Sequence, residues 1–187
     1  SFTTSPETIL VSIRDLKGWR GDGVIATITT HAEARAAGEL RVPVVNVLGA
    51  LRHGGVPRVM EDQQMTGRLA AEHLLDCGFR RFGYYGLRGI WYAKERGRGF
   101  LERVRREGGQ CSVLDSLGTI SRRGLWHHWR EELERWLATL RPPVGIMAVH
   151  DRRALMVLEA CGTLGLRVPD DVALIGTNDD QLICEFS

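Results

Sequence analysis

Short runs rich in Val, Ile and Ala alternate with longer stretches of helical character along most of this chain. A helix between two strands is long enough to carry the chain back across the sheet, as a parallel connection requires. Strands that alternate with helices are therefore expected to lie parallel to one another. The alternation therefore predicts the α/β class, with doubly wound parallel sheets. Near-continuous apolar character in several of the strands further predicts that helices cover both faces of a sheet.

The same periodicity predicts where the elements lie. Strands are expected at residues 23–27, 44–47, 81–85, 111–115, 145–149 and 172–175. Helices are expected at residues 5–16, 31–39, 66–77, 91–107, 124–140 and 152–164. Gly78, Gly108 and Gly165 follow three of these helices, where a left-handed C-terminal cap is common.

Composition narrows the class of function. The 187 residues include 25 basic and 23 acidic side chains, which leaves a net charge of only +2. A domain that tracks phosphates usually carries a much larger positive charge, so we do not expect direct DNA contact by this segment. No apolar run approaches the roughly 18 residues of a membrane span, and the first residues lack a signal-peptide pattern. A cytoplasmic protein that makes no membrane contact is expected.

The sequence predicts neither an enzyme nor a metal site. The four cysteines form no C-x-x-C pair, and we interpret them as reduced, mostly core residues: Cys77, Cys111, Cys161 and Cys184. His127 and His128 are adjacent, so their rings leave different sides of a helix and cannot share a metal ion. No nucleophile elbow, phosphate loop or H-E-x-x-H motif is present, and no cofactor is expected.

In open parallel sheets, ligands bind beyond the carboxyl ends of the strands. The loop after Tyr85 leads into Trp91, Tyr92 and Arg96, near the start of a predicted helix. An exposed Trp–Tyr pair offers flat faces for a sugar ring, and the guanidinium of Arg96 can bond two adjacent hydroxyl oxygens. The alternative is that Trp91 and Tyr92 cover the core and Arg96 is a solvated helix residue.

Two further strand ends carry polar side chains. His150 and Asp151 follow one strand, with His150 expected to point towards the ligand. Asp151 also suits the N-cap of a helix beginning at Arg152, which is the simpler role. Asn178 follows the last strand and can both donate to and accept from a diol, although a turn built on Asx residues is the alternative.

Two more residues are candidates by position. Trp126 lies at the start of a predicted helix, at the end nearest the loops. The opposite face of that helix is expected to be core: Trp129, Leu133, Trp136, Leu137 and Leu140. Asp62 lies where the chain passes from the first lobe to the second, and we include it among the candidate ligand-binding residues.

Landmarks occur in a particular order along the chain: Asp62, the run at 67–75 before Gly78, the strand at 81–86, Arg96 before Gly99-Phe100, His150-Asp151 and the run at 168–180. This order resembles the effector-binding domain of Lac repressor-type (LacI/GalR) bacterial transcription regulators. A closer likeness, to xylose-operon regulators, is carried by residues 16–26, residues 82–87 and Trp126 with the apolar face that follows it.

The resemblance implies specific roles. It places the family's sugar-binding arginine on Arg96, its strand-end pair on His150 and Asp151, and its late acidic ligand on Asn178. Tyr92 and Trp126 fall on positions that line the sugar cleft. Histidine at 150 in place of asparagine or threonine, and asparagine at 178 in place of aspartate, allow a pentose other than xylose.

The resemblance also implies an organisation and a mechanism. Residues 1–61 would be part of an N-terminal lobe, 62–180 a C-terminal lobe and 181–187 the start of a crossover back, with both ends inside a longer regulator. A sugar, xylose or a related pentose, would close the cleft and act on an AraC-type DNA-binding domain outside this chain, in a homodimer. A periplasmic sugar-binding receptor of a transporter shares the fold and is the alternative.

Overall fold

Parallel sheets organise both parts of the molecule. The computed structural model describes residues 12–48, 51, 54–117 and 125–185, with the side chains of 125–128 outside this set. The chain divides into two compact units, Ser1–Met60 and Glu61–Ser187, which we call unit 1 and unit 2. Each contains a parallel sheet, of two strands in unit 1 and four in unit 2, so the predicted α/β class is confirmed.

Unit 1 pairs two short strands beside one helix. Its elements are a 3-10 helix Ile13–Leu16, β1 Val24–Ala26, α1 His31–Gly38 and β2 Val44–Asn46. Thr30 and Glu33 form a reciprocal capping box at the start of α1, which satisfies backbone donors that a helix end leaves free. The buried Asn46 side chain accepts from the backbone N–H of Ile28 and of Leu48, each at 3.0 Å.

The α-helix predicted at residues 5–16 is corrected at those of its residues that the structure describes. Residues 5–11 lie outside the described residues. The last four form a 3-10 helix instead of an α-helix. Ser12 begins it, because its hydroxyl accepts from Arg14 N and its carbonyl accepts from Asp15 N at 2.9 Å. These bonds close the tighter turn typical of short 3-10 segments.

Unit 2 alternates helices and strands as the sequence predicted. Its elements are α2 Gln63–Asp76, β3 Arg81–Leu87, α3 Trp91–Arg106, β4 Gln110–Ser116, α4 Leu125–Thr139, β5 Val144–Ala148, α5 Asp151–Leu164, β6 Val172–Ile175 and α6 Gln181–Cys184. The sheet order is β4-β3-β5-β6, and every pair is parallel. All carboxyl ends of these strands therefore meet at one edge of the sheet.

Helices cover both faces of this sheet. Phe82, Tyr84 and Met147 pack under α2 and α3, whereas Tyr85 and Ile146 pack under α4 and α5. This division follows from the alternation of side chains along each strand. It explains why β3 and β5 have largely apolar sequences, since neither face of these strands is open to water.

The helices α2 and α3 touch through their backbones. A Cβ atom on Gly67 would lie 1.9 Å from the carbonyl oxygen of Arg96, and one on Gly99 would lie 2.0 Å from that of Gln64. Only glycine permits so close an approach. The contact places the first two turns of α2 beside the second and third turns of α3, next to the polar cluster described below.

Two helices begin earlier than predicted, because the caps were misassigned. Asp62 accepts from Met65 N at 3.0 Å, so α2 begins at Gln63, three residues before the predicted start. His150 instead of Asp151 caps α5, with its Nδ1 accepting from Arg153 N at 3.2 Å. The predicted capping role of Asp151 is therefore wrong, and Asp151 is the first helical residue.

Among the described helices, none combines the length and the apolar character that crossing a bilayer requires.

Candidate ligand-binding site

Arg96 is the centre of a polar cluster at the carboxyl edge of the unit 2 sheet. It lies in the second turn of α3 and is only 3% exposed. Its Nη1 donates to Val149 O and to Thr177 Oγ1, both at 2.6 Å, and lies 3.4 Å from Asn178 Oδ1. The guanidinium thus joins α3 to the carboxyl ends of β5 and β6.

The other side of the guanidinium is bound by the start of α2. Arg96 Nε donates to Gln63 Oε1, and Nη2 donates to Glu61 Oε1 at 2.7 Å. Gln63 is buried, but the Glu61 side chain is 55% exposed. Hydrogen bonds from Gln63 and from the backbone of Glu61 itself, together with the charge of Arg96, lower the pKa of Glu61. The carboxylate is therefore ionised at neutral pH.

The turn after β6 is held in an uncommon backbone conformation. Asn178 and Asp179 have positive φ angles of 104° and 54°, a region that few residues other than glycine adopt. Asp151 holds this turn, since its Oδ2 accepts from Asp180 N at 2.8 Å and its backbone N donates to Thr177 O at 3.1 Å. Asp151 is itself buried. It positions the turn that presents Asn178.

His150 lies between this turn and the rest of the edge. Burial, followed by the positive charge of Arg153, lowers the pKa of His150 below its ordinary value. The ring is neutral at pH 7, and because Nδ1 accepts from Arg153 N, the proton lies on Nε2. The ring caps α5 through Nδ1, and the expectation that His150 reaches the ligand stays a prediction.

Aromatic side chains flank the cluster. Trp91 and Tyr92 are half-buried, not exposed as the sequence suggested. The guanidinium carbon of Arg96 lies 5.3 Å from the centroid of the Tyr92 ring, one helical turn earlier on α3. Burial raises the pKa of Tyr92, so its hydroxyl stays protonated and able to donate. Tyr92 thus contacts Arg96 directly, and Trp91 is the first residue of the same helix.

A second buried arginine lies on the opposite face of the sheet. Arg153, 4% exposed, stacks over the Tyr85 ring with its guanidinium carbon 4.5 Å from the centroid. Its Nη1 donates to Ser116 Oγ and its Nη2 to Leu117 O at 3.1 Å. Burial lowers the pKa of Arg153. This residue joins α5 to the end of β4.

The structure brings together several of the predicted site residues and gives Asp62 a capping role. Tyr92, Arg96 and Asn178 are in direct contact in the Arg96 cluster, and His150 and Asp151 lie beside it at the start of α5. Asp62 caps α2, where its side chain is engaged with Met65 N. The side chain of Trp126 lies outside the described residues, so its placement stays a prediction.

Sequence reasoning missed four residues that build the edge: Glu61, Gln63, Arg153 and Thr177. Three of them could have been found. Glu61 and Gln63 flank Asp62, and Thr177 directly precedes Asn178 at the strand end. Arg153 gave no such signal, because nothing in its spacing shows that the side chain turns inward.

The chemistry of this edge suits a neutral polyhydroxy ligand. It offers a carboxylate, an amide and a guanidinium within one cluster, beside half-buried aromatic rings. Such groups donate to and accept from hydroxyls, while the rings cover C–H faces. In the part of the chain that the structure describes, no three His, Cys, Asp or Glu side chains are grouped as a metal site would need.

Comparison with known proteins agrees with this architecture. The family described as a periplasmic binding protein-like domain matches residues 71–187, more than half of the chain. The chain belongs to this family.

Its relatives include named sugar regulators. The xylose operon regulatory protein of Escherichia coli (strain K12) is 33% identical over 183 residues, which are 94% of this chain and 46% of the relative. The ribose operon repressor of Halalkalibacterium halodurans is 29% identical over 157 residues, or 83% of this chain and 45% of the relative. The chain therefore spans about half the length of the curated relatives it matches.

A solved structure shows the same likeness. The xylose-binding transcription activator xylR superposes with a TM-score of 0.77 at 33% identity, covering 87% of this chain and 44% of that one. The predicted likeness to Lac repressor-type effector domains, and to xylose-operon regulators among them, is confirmed. The AraC-type DNA-binding domain stays a prediction.

Proposed function

We propose that this chain is the sugar-sensing part of a bacterial transcription regulator and binds a pentose at the carboxyl edge of the unit 2 sheet. The observation that carries the proposal is the Arg96 cluster, which joins three elements at the edge where such sheets bind ligands. The likeness to regulators named for xylose and ribose supports the choice of a sugar.

The sugar's identity is proposed as xylose or a related aldopentose. Tyr92 and Trp91 would cover one face of the ring, and Asn178 would contact hydroxyls from the turn after β6. Asn178 supplies both a donor and an acceptor, so it tolerates either orientation of a neighbouring hydroxyl. This tolerance leaves the choice among pentoses to the neighbouring residues, His150 included.

The proposed role is signalling without catalysis. A ligand that prefers one conformation of the regulator by several kcal/mol shifts the population to that state. We propose that the shift changes DNA binding by a part of the regulator outside this chain, in a cytoplasmic homodimer. The small net charge of +2 supports this division of labour. A periplasmic receptor is less well supported, because the curated relatives are regulators.

The test is calorimetric titration of the intact protein with D-xylose, L-arabinose, D-ribose and D-glucose. Saturable binding of one pentose, with little heat from glucose, is expected. Absence of heat with all four sugars would refute the proposal and direct attention to a different polar effector.

A pair of variants in one turn shows whether the described edge is where the sugar binds. Asn178→Gly removes the amide and suits the positive φ, so the backbone is not strained. Asp179→Gly makes the same kind of change one residue later and serves as the control. Affinity should fall roughly tenfold or more in the first variant, because a bound hydroxyl loses its partner, and stay near the wild-type value in the second.

A further inference from the structure

Arg96 has little capacity left for a ligand. Of its five N–H groups, Nε–H is used by Gln63, both Nη1 hydrogens by the strand ends, and one Nη2 hydrogen by Glu61. Within the described residues, a single Nη2 hydrogen remains without a protein partner. Because Arg96 is also 3% exposed, its main role is to hold other groups in place.

Glu61 is the member of the cluster that is most open to solvent on the α2 side. Its Oε1 accepts from Arg96 at 2.7 Å, yet the side chain remains 55% exposed. A carboxylate has about four acceptor sites, and the bonds from Arg96, Gln63 and the backbone of Glu61 itself use only part of this capacity. The ion pair fixes the direction of these sites and keeps the group ionised.

We propose that Glu61 is a specificity-determining residue that accepts a hydrogen bond from a hydroxyl of the bound sugar, with Arg96 as its positioning residue. The carboxylate and the remaining Nη2–H lie side by side, so a vicinal diol fits the pair. One hydroxyl donates to Glu61, and its neighbour accepts from Arg96. The inference rests on the proposed function, since it needs a polyhydroxy ligand at this edge.

The pair also specifies what the ligand must carry. A carboxylate accepts but does not donate, so it selects hydroxyls and disfavours anionic groups at the same position. A sugar that lacks one hydroxyl of the diol leaves Glu61 without its partner. Loss of a hydrogen bond to a charged group lowers affinity by roughly ten- to a hundredfold.

The test compares Glu61→Ala and Glu61→Gln with the wild-type intact protein, by calorimetry with the same four sugars. Glu61→Ala should weaken binding of the recognised pentose at least roughly tenfold, and Glu61→Gln less, because one acceptor oxygen remains. Glu72→Gln is the matched control, since Glu72 also pairs with arginines, Arg68 and Arg103, but away from this edge. The control should bind as the wild type does.

Monodeoxy derivatives of the recognised pentose separate direct contact from a structural effect. The derivative that lacks the hydroxyl bound by Glu61 should bind the wild type weakly. It should bind Glu61→Ala as tightly as the parent sugar binds that variant, because the hydroxyl and its acceptor form one pair. Equal losses for every derivative in both proteins would overturn the inference, as would unchanged binding by Glu61→Ala. Tighter binding by Glu61→Ala would instead identify Glu61 as a competitor for Arg96. No heat with the wild type would overturn the proposed function together with this inference.

Discussion

The two buried arginines of unit 2 lie on opposite faces of one sheet and are stabilised in different ways. Arg96 pairs with a carboxylate and with four polar groups from two strand ends and α2. Arg153 lies over an aromatic ring and donates to a hydroxyl and a backbone carbonyl. The ion pairs of the described residues include Arg96 but not Arg153.

This difference distinguishes the cluster that we propose binds ligand from a supporting one. Around Arg96, the partners Glu61 and Asn178 are exposed and can exchange protein contacts for ligand contacts. Around Arg153, the side-chain partners Tyr85 and Ser116 are buried, and the exposed Leu117 contributes only its backbone carbonyl. A buried guanidinium is therefore not by itself a sign of a binding site. The exposure of its partners is what distinguishes the two.

The largest expected effect is on removal of Arg96. Arg96→Met should lower the free energy of unfolding by about 3 kcal/mol or more, because buried acceptors on three elements lose their donor. Urea denaturation of the intact protein measures this loss. A change below about 1 kcal/mol would mean that the cluster does not hold these elements together.

The helix contact beside this cluster comes next. Gly67→Ala should cost about 2–3 kcal/mol, because its Cβ meets the Arg96 carbonyl and forces α2 away from α3. Gly162→Ala, in α5, is the matched control, since a Cβ there has no neighbour within 4 Å. Alanine should stabilise that helix by about 0.5–1 kcal/mol. The same sign for both variants would contradict the assigned contact.

Removal of the second arginine should cost less. Arg153→Met loses a cation–π contact and two hydrogen bonds, but it also removes a buried charge that forms no ion pair among the described residues. These effects partly cancel, so we expect a loss of about 1 kcal/mol. Side-by-side denaturation of the two methionine variants is the measurement. A larger loss for Arg153 than for Arg96 would reverse the comparison.

The smallest effect is the pH dependence that His150 contributes. Its pKa is lowered in the folded state, so the unfolded chain binds the proton more readily as the pH falls below about 6.5. The contribution of His150 to the free energy of unfolding should therefore be fully present above that pH. Below it, this contribution should decline by at most about 1.4 kcal/mol per pH unit. His150→Asn keeps an N-cap side chain and should reduce the decline. An unchanged profile would exclude His150 as its source.

The periodicity of apolar residues predicted the fold, because this periodicity reflects local secondary structure and burial. The central strands β3 and β5 are covered on both faces, so their buried, largely apolar runs identified them directly. Helix starts were harder to predict. Asp62 was interpreted as a crossover residue, although Asp is a common N-cap, and the start of α2 was consequently placed a turn too late.

The site could be predicted only in part, for a physical reason. The strand-end rule identified Asn178 and His150, since carboxyl ends meet at one edge whatever the loops contain. That Arg96 lies buried among Gln63, Val149 and Thr177 depends on how α2, α3 and two strands pack together. Sequence separation hides such contacts, because the partners lie up to 81 positions away.

The turn that Asp151 holds has a consequence for how related regulators can diverge. A φ of 104° at position 178 admits glycine, asparagine or aspartate with little strain and penalises branched or long side chains. Few residue types can therefore replace Asn178. Asparagine donates and accepts hydrogen bonds, aspartate only accepts them, and glycine has no side chain to do either. At the proposed sugar site, an exchange between asparagine and aspartate at this position would change the hydrogen-bonding sense with almost no change in side-chain volume.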